Sequence, residues 1–143
     1  MWRYLIVTHQ TALSPELQRR VKALVAEDPE AEFAVLVPEA PGMTYTWEGE
    51  TAGLASERAE AAKALLEETA HAKVVRTAVG VSEPLQAITD ELRAHPGYDS
   101  LIICTLPPGI SRWLKLHLVH RAERKFGLPV IHVVAEAPAQ ARP

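Results

Sequence analysis

A chain of 143 residues, 48% hydrophobic and 23% charged, has the size and balance of one globular domain with a single well-buried core. A net charge of -3 gives no global pull toward nucleic acid or an acidic membrane, and one cysteine, Cys104, excludes an internal disulfide and fits a reducing cytoplasm. The opening MWRYLIVTHQ is too short an apolar run for a signal peptide or a membrane span, so a cytoplasmic location without a membrane or nucleic-acid partner is expected.

Residues 4–7 read as a first buried strand, aromatic and β-branched, ending at polar Thr8 and His9. Ser14-Pro15-Glu16 carries three agreeing signals of a helix start: a capping Ser, Pro at the first position and an acid in the first turn. Leu17, Val21, Leu24 and Val25 give that helix its apolar face, and Asp28-Pro29 ends it. Residues 33–37 form a second apolar strand, stopped by Pro38. The segment 38–53 is longer than such a connection needs, so it is either a functional flap or partly disordered. Its Tyr45 and Trp47 are costly to leave in water; they either make the loop's own small core or close over a ligand.

Residues 54–70 are alanine-rich and free of breakers, predicting a long helix with a thin face of Leu54, Leu65, Leu66 and alanines. Residues 74–79 are a third strand whose alternating Arg76 and Thr77 point to an exposed edge. GVSEP is a turn with Ser82 as cap, and Leu85, Ile88 and Leu92 drive a short helix closed by His95-Pro96-Gly97. Residues 101–104 form an uninterrupted apolar strand buried on both faces. Thr105, Pro107, Pro108 and Gly109 break it, and Ser111 caps a helix with Leu114, Leu118, Ala122 and Phe126 on one side. Val130–Val134 is the last strand, ending the domain at 135, and the polar tail 136–143 is expected to be flexible.

Strands alternating with helices predict a three-layer, doubly wound α/β fold: a five-stranded parallel sheet covered on both faces. Ligands in such sheets sit beyond the carboxyl ends of the strands, which gathers His9, the 38–53 loop and the start of the fourth helix around one crevice. Arg112 and Lys115, in the first turns of that helix, lie where an anion on the free N–H groups would offset their unfavourable position in the helix dipole. The expected ligand is an anionic small molecule, with His9, Thr105, Gly109, Ser111, Arg112, Lys115 and Trp47 as candidate contacts.

The remaining reactive groups have plainer readings. His117, His120 and Glu123 share a helix face without the further ligands a metal site needs, and read as solvated. His132, in an apolar strand, reads as a core or dimer-interface histidine, and Cys104 as inert core. PPGIS is not a nucleophile elbow, and no paired carboxylates or Ser/His/Asp set stands out, so no catalytic residue is assigned and binding without turnover is expected.

The order YLIVTH, a long alanine-rich helix before VVRTAVG, GVSEPLQAITDELR, DSLIIC and the closing GLPVIHVV resembles the universal stress protein superfamily, an adenine nucleotide alpha hydrolase-like group. The resemblance implies strand order 3-2-1-4-5 and a homodimer through the last strand. The same dimer is expected because Val130–Val134 would otherwise be an open apolar edge. The nucleotide-binding branch carries G-x2-G-x9-G-[ST] after the fourth strand. Here its first two glycines fall on Thr105 and Pro108, its Gly-Ser pair falls on Leu118 and Val119, and Gly109 comes one place late. The family's acidic residue after strand one falls on His9. Prolines remove backbone donors that a phosphate loop needs, so no cofactor is expected; ATP or another nucleotide remains the alternative. The resemblance implies a stress-response or regulatory module binding a small ligand. The alternatives are a structural homodimer acting through a protein partner and, third, a hydrolase or transferase on a phosphorylated substrate.

Overall fold

The computed structural model describes residues 2–9, 11–39, 50–107, 111–115 and 117–136, the side chains of 50–53, 112 and 115 excepted. Five strands alternate with helices: β1 Arg3–Val7, α1 Pro15–Glu27, β2 Glu32–Pro38, α2 Glu50–Ala70, β3 Lys73–Gly80, α3 Pro84–Ala94, β4 Ser100–Thr105, α4 Arg112–Lys115, α5 Leu118–Phe126 and β5 Val130–Val134. All pairings are parallel, in the order β3-β2-β1-β4-β5, as the resemblance implied.

Two cores lie on opposite faces of the sheet, set by the alternation of side chains along each strand. Tyr4, Ile6, Phe33, Val35, Ile102 and Cys104 face α1 and α2; Leu5, Val7, Leu36, Leu101 and Ile103 face α3 and α5. Burial on both sides is why these strands read as continuous apolar runs. Helix α2 begins at Glu50, earlier than the expected 54, and its buried stripe is Ala55, Ala59, Ala62, Leu66 and Ala70. Leu54, expected on that face, is exposed, because it lies about 100° round the helix from Ala55 and so off the buried stripe.

β3 is an edge strand, as Arg76 and Thr77 indicated. A register shift between Phe33 and Ala34 pairs Val74 and Arg76 with consecutive residues, leaving Val75 as the extra, exposed residue. Arg76 consequently turns to the α3 side and meets Glu91, while the Thr77 hydroxyl meets Glu60 of α2. The edge ends at Gly80, where an added Cβ would stand 2.6 Å from the Cβ of Ala87. Helix α3 is capped by Glu83 and not by Ser82, since Pro84 occupies the first helical position and the cap is the residue before it. Glu83 accepts the Leu85 and Gln86 N–H groups at 3.0 and 2.9 Å.

The largest departure from expectation lies after β4. The helix predicted to run unbroken from Ser111 to Phe126 is two pieces: α4, four residues long, and α5. His117 separates them in the left-handed region at φ 57°, a conformation His tolerates better than most side chains. The apolar face survives in α5, where Leu118 and Ala122 are buried. Its C-terminus closes on Gly127 at φ 66°, whose N–H returns to the Glu123 carbonyl at 3.1 Å. From residue 137 the expected tail lies outside the described residues, as do residues 40–49 of the long loop, Tyr45 and Trp47 included.

Candidate functional site

β1 is followed by a connection to β2 on one side of the sheet and pairs with β4 on the other, so the strand order reverses between them. The carboxyl ends of β1 and β4 therefore flank the switch point beside which open parallel sheets usually hold their ligands. Thr8, the first residue beyond β1, is fully buried; its N–H reaches the Leu36 carbonyl at 3.2 Å and its Oγ1 lies 2.8 Å from Thr11 Oγ1. Thr11 spends its proton on the Cys104 carbonyl at 3.0 Å, so Thr8 is the donor of that pair. Ser14 caps α1 by accepting the Leu17 N–H at 3.2 Å and touches Cys104 Sγ at 3.7 Å. Burial pushes the Cys104 thiol pKa up, against the lowering effect of Thr11 and Ser14, which makes it a poor thiolate. These hydroxyls tie the ends of β1, α1 and β4 together.

His9 follows, half-buried, against Arg58 of α2. The Arg58 Nη1 stands 3.3 Å from each imidazole nitrogen, against the ring and in line with neither nitrogen's lone pair. Burial foremost, and the guanidinium second, lower the His9 pKa to about 4, so the ring is neutral at physiological pH. Arg58 was not singled out from the sequence. Its signal was there: it lies three residues after Ala55 and four before Ala62, on the flank of the buried stripe of α2.

The other expected site residues are dispersed. Thr105 sits on the α3/α5 side of β4, the side opposite Cys104, and its hydroxyl lies 2.8 Å from His132 Nε2 across the β4–β5 pair. No hydrogen bond or ion pair among the described residues joins it to His9. His132 is thus no core histidine: its ring is exposed on an edge strand, anchored by Thr105, with a pKa lowered by partial burial. Ser111 is buried and serves as the expected cap, its N–H on the Pro107 carbonyl at 3.0 Å and its Oγ accepting the Leu114 N–H at 3.1 Å. Gly109 and Trp47 lie outside the described residues; of Arg112 and Lys115 only the backbone, in α4, is described. Four residues align few peptide dipoles, so the dipole contribution expected of a long helix at Ser111 is reduced. His117 and His120 are exposed, and no group of three or more metal-type side chains gathers among the described residues.

A concavity opens at the edge of the sheet, a shallow groove of about 580 Å³ between α1 and β5. Arg19, Arg20 and Glu16 rim it, and Ile131 and Val133 lie along its strand side. It follows the outer edge of β5 and is remote in topology from the β1–β4 reversal.

No family model matches this sequence, and no curated protein is similar to it. Solved structures are similar in fold. A universal stress protein from Archaeoglobus fulgidus superposes with a TM-score of 0.63 at 17% identity, covering 93% of each chain. A hypothetical protein, PH0823, gives 0.61 at 18% identity over 96% of this chain and 98% of its own. The chain therefore has the universal-stress-protein-like α/β fold over nearly its whole length.

Proposed function

We propose that the protein is a stress-response or regulatory module of the universal stress protein type, binding an anionic small molecule beyond β1 and β4 without turning it over. The observation that carries this reading is the reversal of strand order between those strands, with half-buried His9 just after β1 and buried Ser111 just before α4. Thr105 at the end of β4 is a proposed further contact, as are Gly109, Arg112, Lys115 and Trp47. Binding without turnover is supported by the state of the reactive groups. The Thr8, Thr11, Ser14 and Ser111 hydroxyls are engaged in structural bonds, the Cys104 thiol is held protonated, and no described carboxylate orients a histidine. No described helix is long and apolar enough to cross a membrane, and the single buried cysteine supports a cytoplasmic location. The test is thermal stability against phosphate, sulfate and a nucleotide panel, with native mass spectrometry for co-purified ligand. An upward shift with at least one anion is expected; flat melting curves and an unadorned mass would sink the reading.

ATP itself should bind weakly or not at all, because Thr105, Pro108 and Leu118 stand where the nucleotide-binding branch has glycines, and Pro107 and Pro108 remove backbone donors. Micromolar affinity for ATP in calorimetry would contradict this. A second reading, a homodimer acting through a partner protein, is favoured by the open β5 edge and the groove beside it. It is compatible with ligand binding in each protomer.

A further inference from the structure

Charged side chains drawn toward the protein surface usually find an opposite charge, and here Arg3, Arg19, Lys73 and Arg76 meet Glu32, Glu16, Glu30 and Glu91. Arg58 does not. It is half-buried, and its polar partner among the described residues is His9, another group whose charged form is positive. A guanidinium cannot shed its proton, and its five N–H donors form a fixed fork suited to two oxygens of one anion. The contact with His9 spends one nitrogen on a long approach that points at neither ring lone pair. Among the described residues, this half-buried cation at the end of β1 faces a neutral imidazole and meets no oxyanion.

We propose that Arg58 and His9 form an oxyanion subsite at the end of β1, where the guanidinium fork takes two oxygens of a phosphate or carboxylate group and the imidazole N–H donates to the same group. The subsite deepens the anion-binding reading given above and rests on it, and it uses a residue of α2 in place of the short helix α4. The neighbouring hydroxyls of Thr8 and Thr11 are committed to each other and to Cys104, so they hold the end of β1 rigid and leave recognition to the two nitrogen-bearing groups. Charge-assisted, two-point contact of this kind is among the stronger hydrogen-bonding arrangements available to a protein.

The test is calorimetry on the full chain with sodium phosphate and, separately, sodium acetate at fixed ionic strength, for wild type, Arg58→Gln, Arg58→Lys and His9→Gln. Wild type should bind at least one oxyanion, and the tighter arm identifies the head group as phosphate or carboxylate. Arg58→Gln should weaken binding roughly tenfold or more, in line with the loss of a charged hydrogen-bonding partner. Arg58→Lys should fall between the two, because it keeps the charge and loses the fork, and His9→Gln should weaken binding less than Arg58→Gln. In parallel, the His9 ring resonances of the wild type should move during the titration. If the wild type binds an oxyanion with His9 unmoved, or Arg58→Gln binds as tightly, the subsite is overturned while the anion-binding reading stands. If the wild type binds neither phosphate nor acetate, the subsite is overturned, and the anion-binding reading falls with it only if the melting curves with sulfate and the nucleotide panel are flat and the native mass is unadorned.

Discussion

Glu91 shows how much of this fold rests on single polar side chains. It lies on α3 at 5% exposure, and both its oxygens are used: Oε2 accepts from Arg76 Nε and from the Tyr98 hydroxyl, each at 2.8 Å, and Oε1 accepts from Arg76 Nη2 at 3.1 Å. Burial first, and then the bond to Glu91, push the Tyr98 phenol pKa upward. The carboxylate thus joins edge strand β3, helix α3 and the turn into β4. Replacing it with Ala leaves a buried hydroxyl and a half-buried guanidinium without their acceptor, so Glu91→Ala should cost roughly 2–4 kcal/mol in urea unfolding. Tyr98→Phe removes one donor and leaves the ion pair, and should cost less than half as much. Equal costs for the two variants would show that the ion pair adds nothing beyond the phenol contact. His9 sets the other residue-scale expectation. Its folded pKa, about 4, is below the unfolded value near 6.5, so the unfolded chain takes up a proton first as pH falls. Its contribution to stability is complete above pH 6.5 and is lost progressively down to about pH 4. Melting temperatures across that window should fall less steeply in His9→Asn than in wild type.

The elements that were legible in the sequence are those whose signal is local. Continuous apolar runs at 4–7, 33–37 and 101–104 announced strands buried on two faces, and Ser14-Pro15 placed the start of α1 to the residue. What the sequence hid was set by tertiary packing. No glycine or proline marks the break between α4 and α5; a histidine in a left-handed conformation makes it. Arg58 looked like one more charge on an acidic helix until the fold brought α2 over the end of β1. The cap of α3 was readable by the rule that fixed α1, the residue before the proline, and Ser82 was one place too early. The left-handed residues lead to a prediction at this scale. His71, just beyond α2 at φ 54°, is exposed, and the strain of its Cβ in that region is what a glycine relieves. His71→Gly should raise stability by roughly 0.5–1 kcal/mol, net of glycine's entropy in the unfolded chain. His71→Val, β-branched in the same conformation, should lower it; a gain in its melting temperature would show that the backbone there relaxes freely.

At the scale of the whole molecule, a sheet with two open edges has to manage both. β3 is interrupted at Val75 by its register shift, carries Lys73 and Arg76, and engages α2 and α3 through Thr77 and Arg76. A bulged, charged edge is a poor template for a second strand. β5 is different: Val130, Ile131, Val133 and Val134 surround one histidine, Val134 is 42% exposed, and the groove against α1 runs alongside. Two copies related by a two-fold axis would pair β5 with β5 in antiparallel fashion and continue the sheet to ten strands, satisfying both edges at once. Light scattering on the purified chain should therefore give twice 15.7 kDa at micromolar concentration. Val134→Lys sets a charge on each side of that seam without touching the buried residues of the strand, and should shift the population to monomer with little change in far-ultraviolet circular dichroism. Val75→Lys, the same change on the β3 edge, should leave the dimer intact. A wild-type monomer, or dissociation by Val75→Lys and not by Val134→Lys, would place the association elsewhere than on β5.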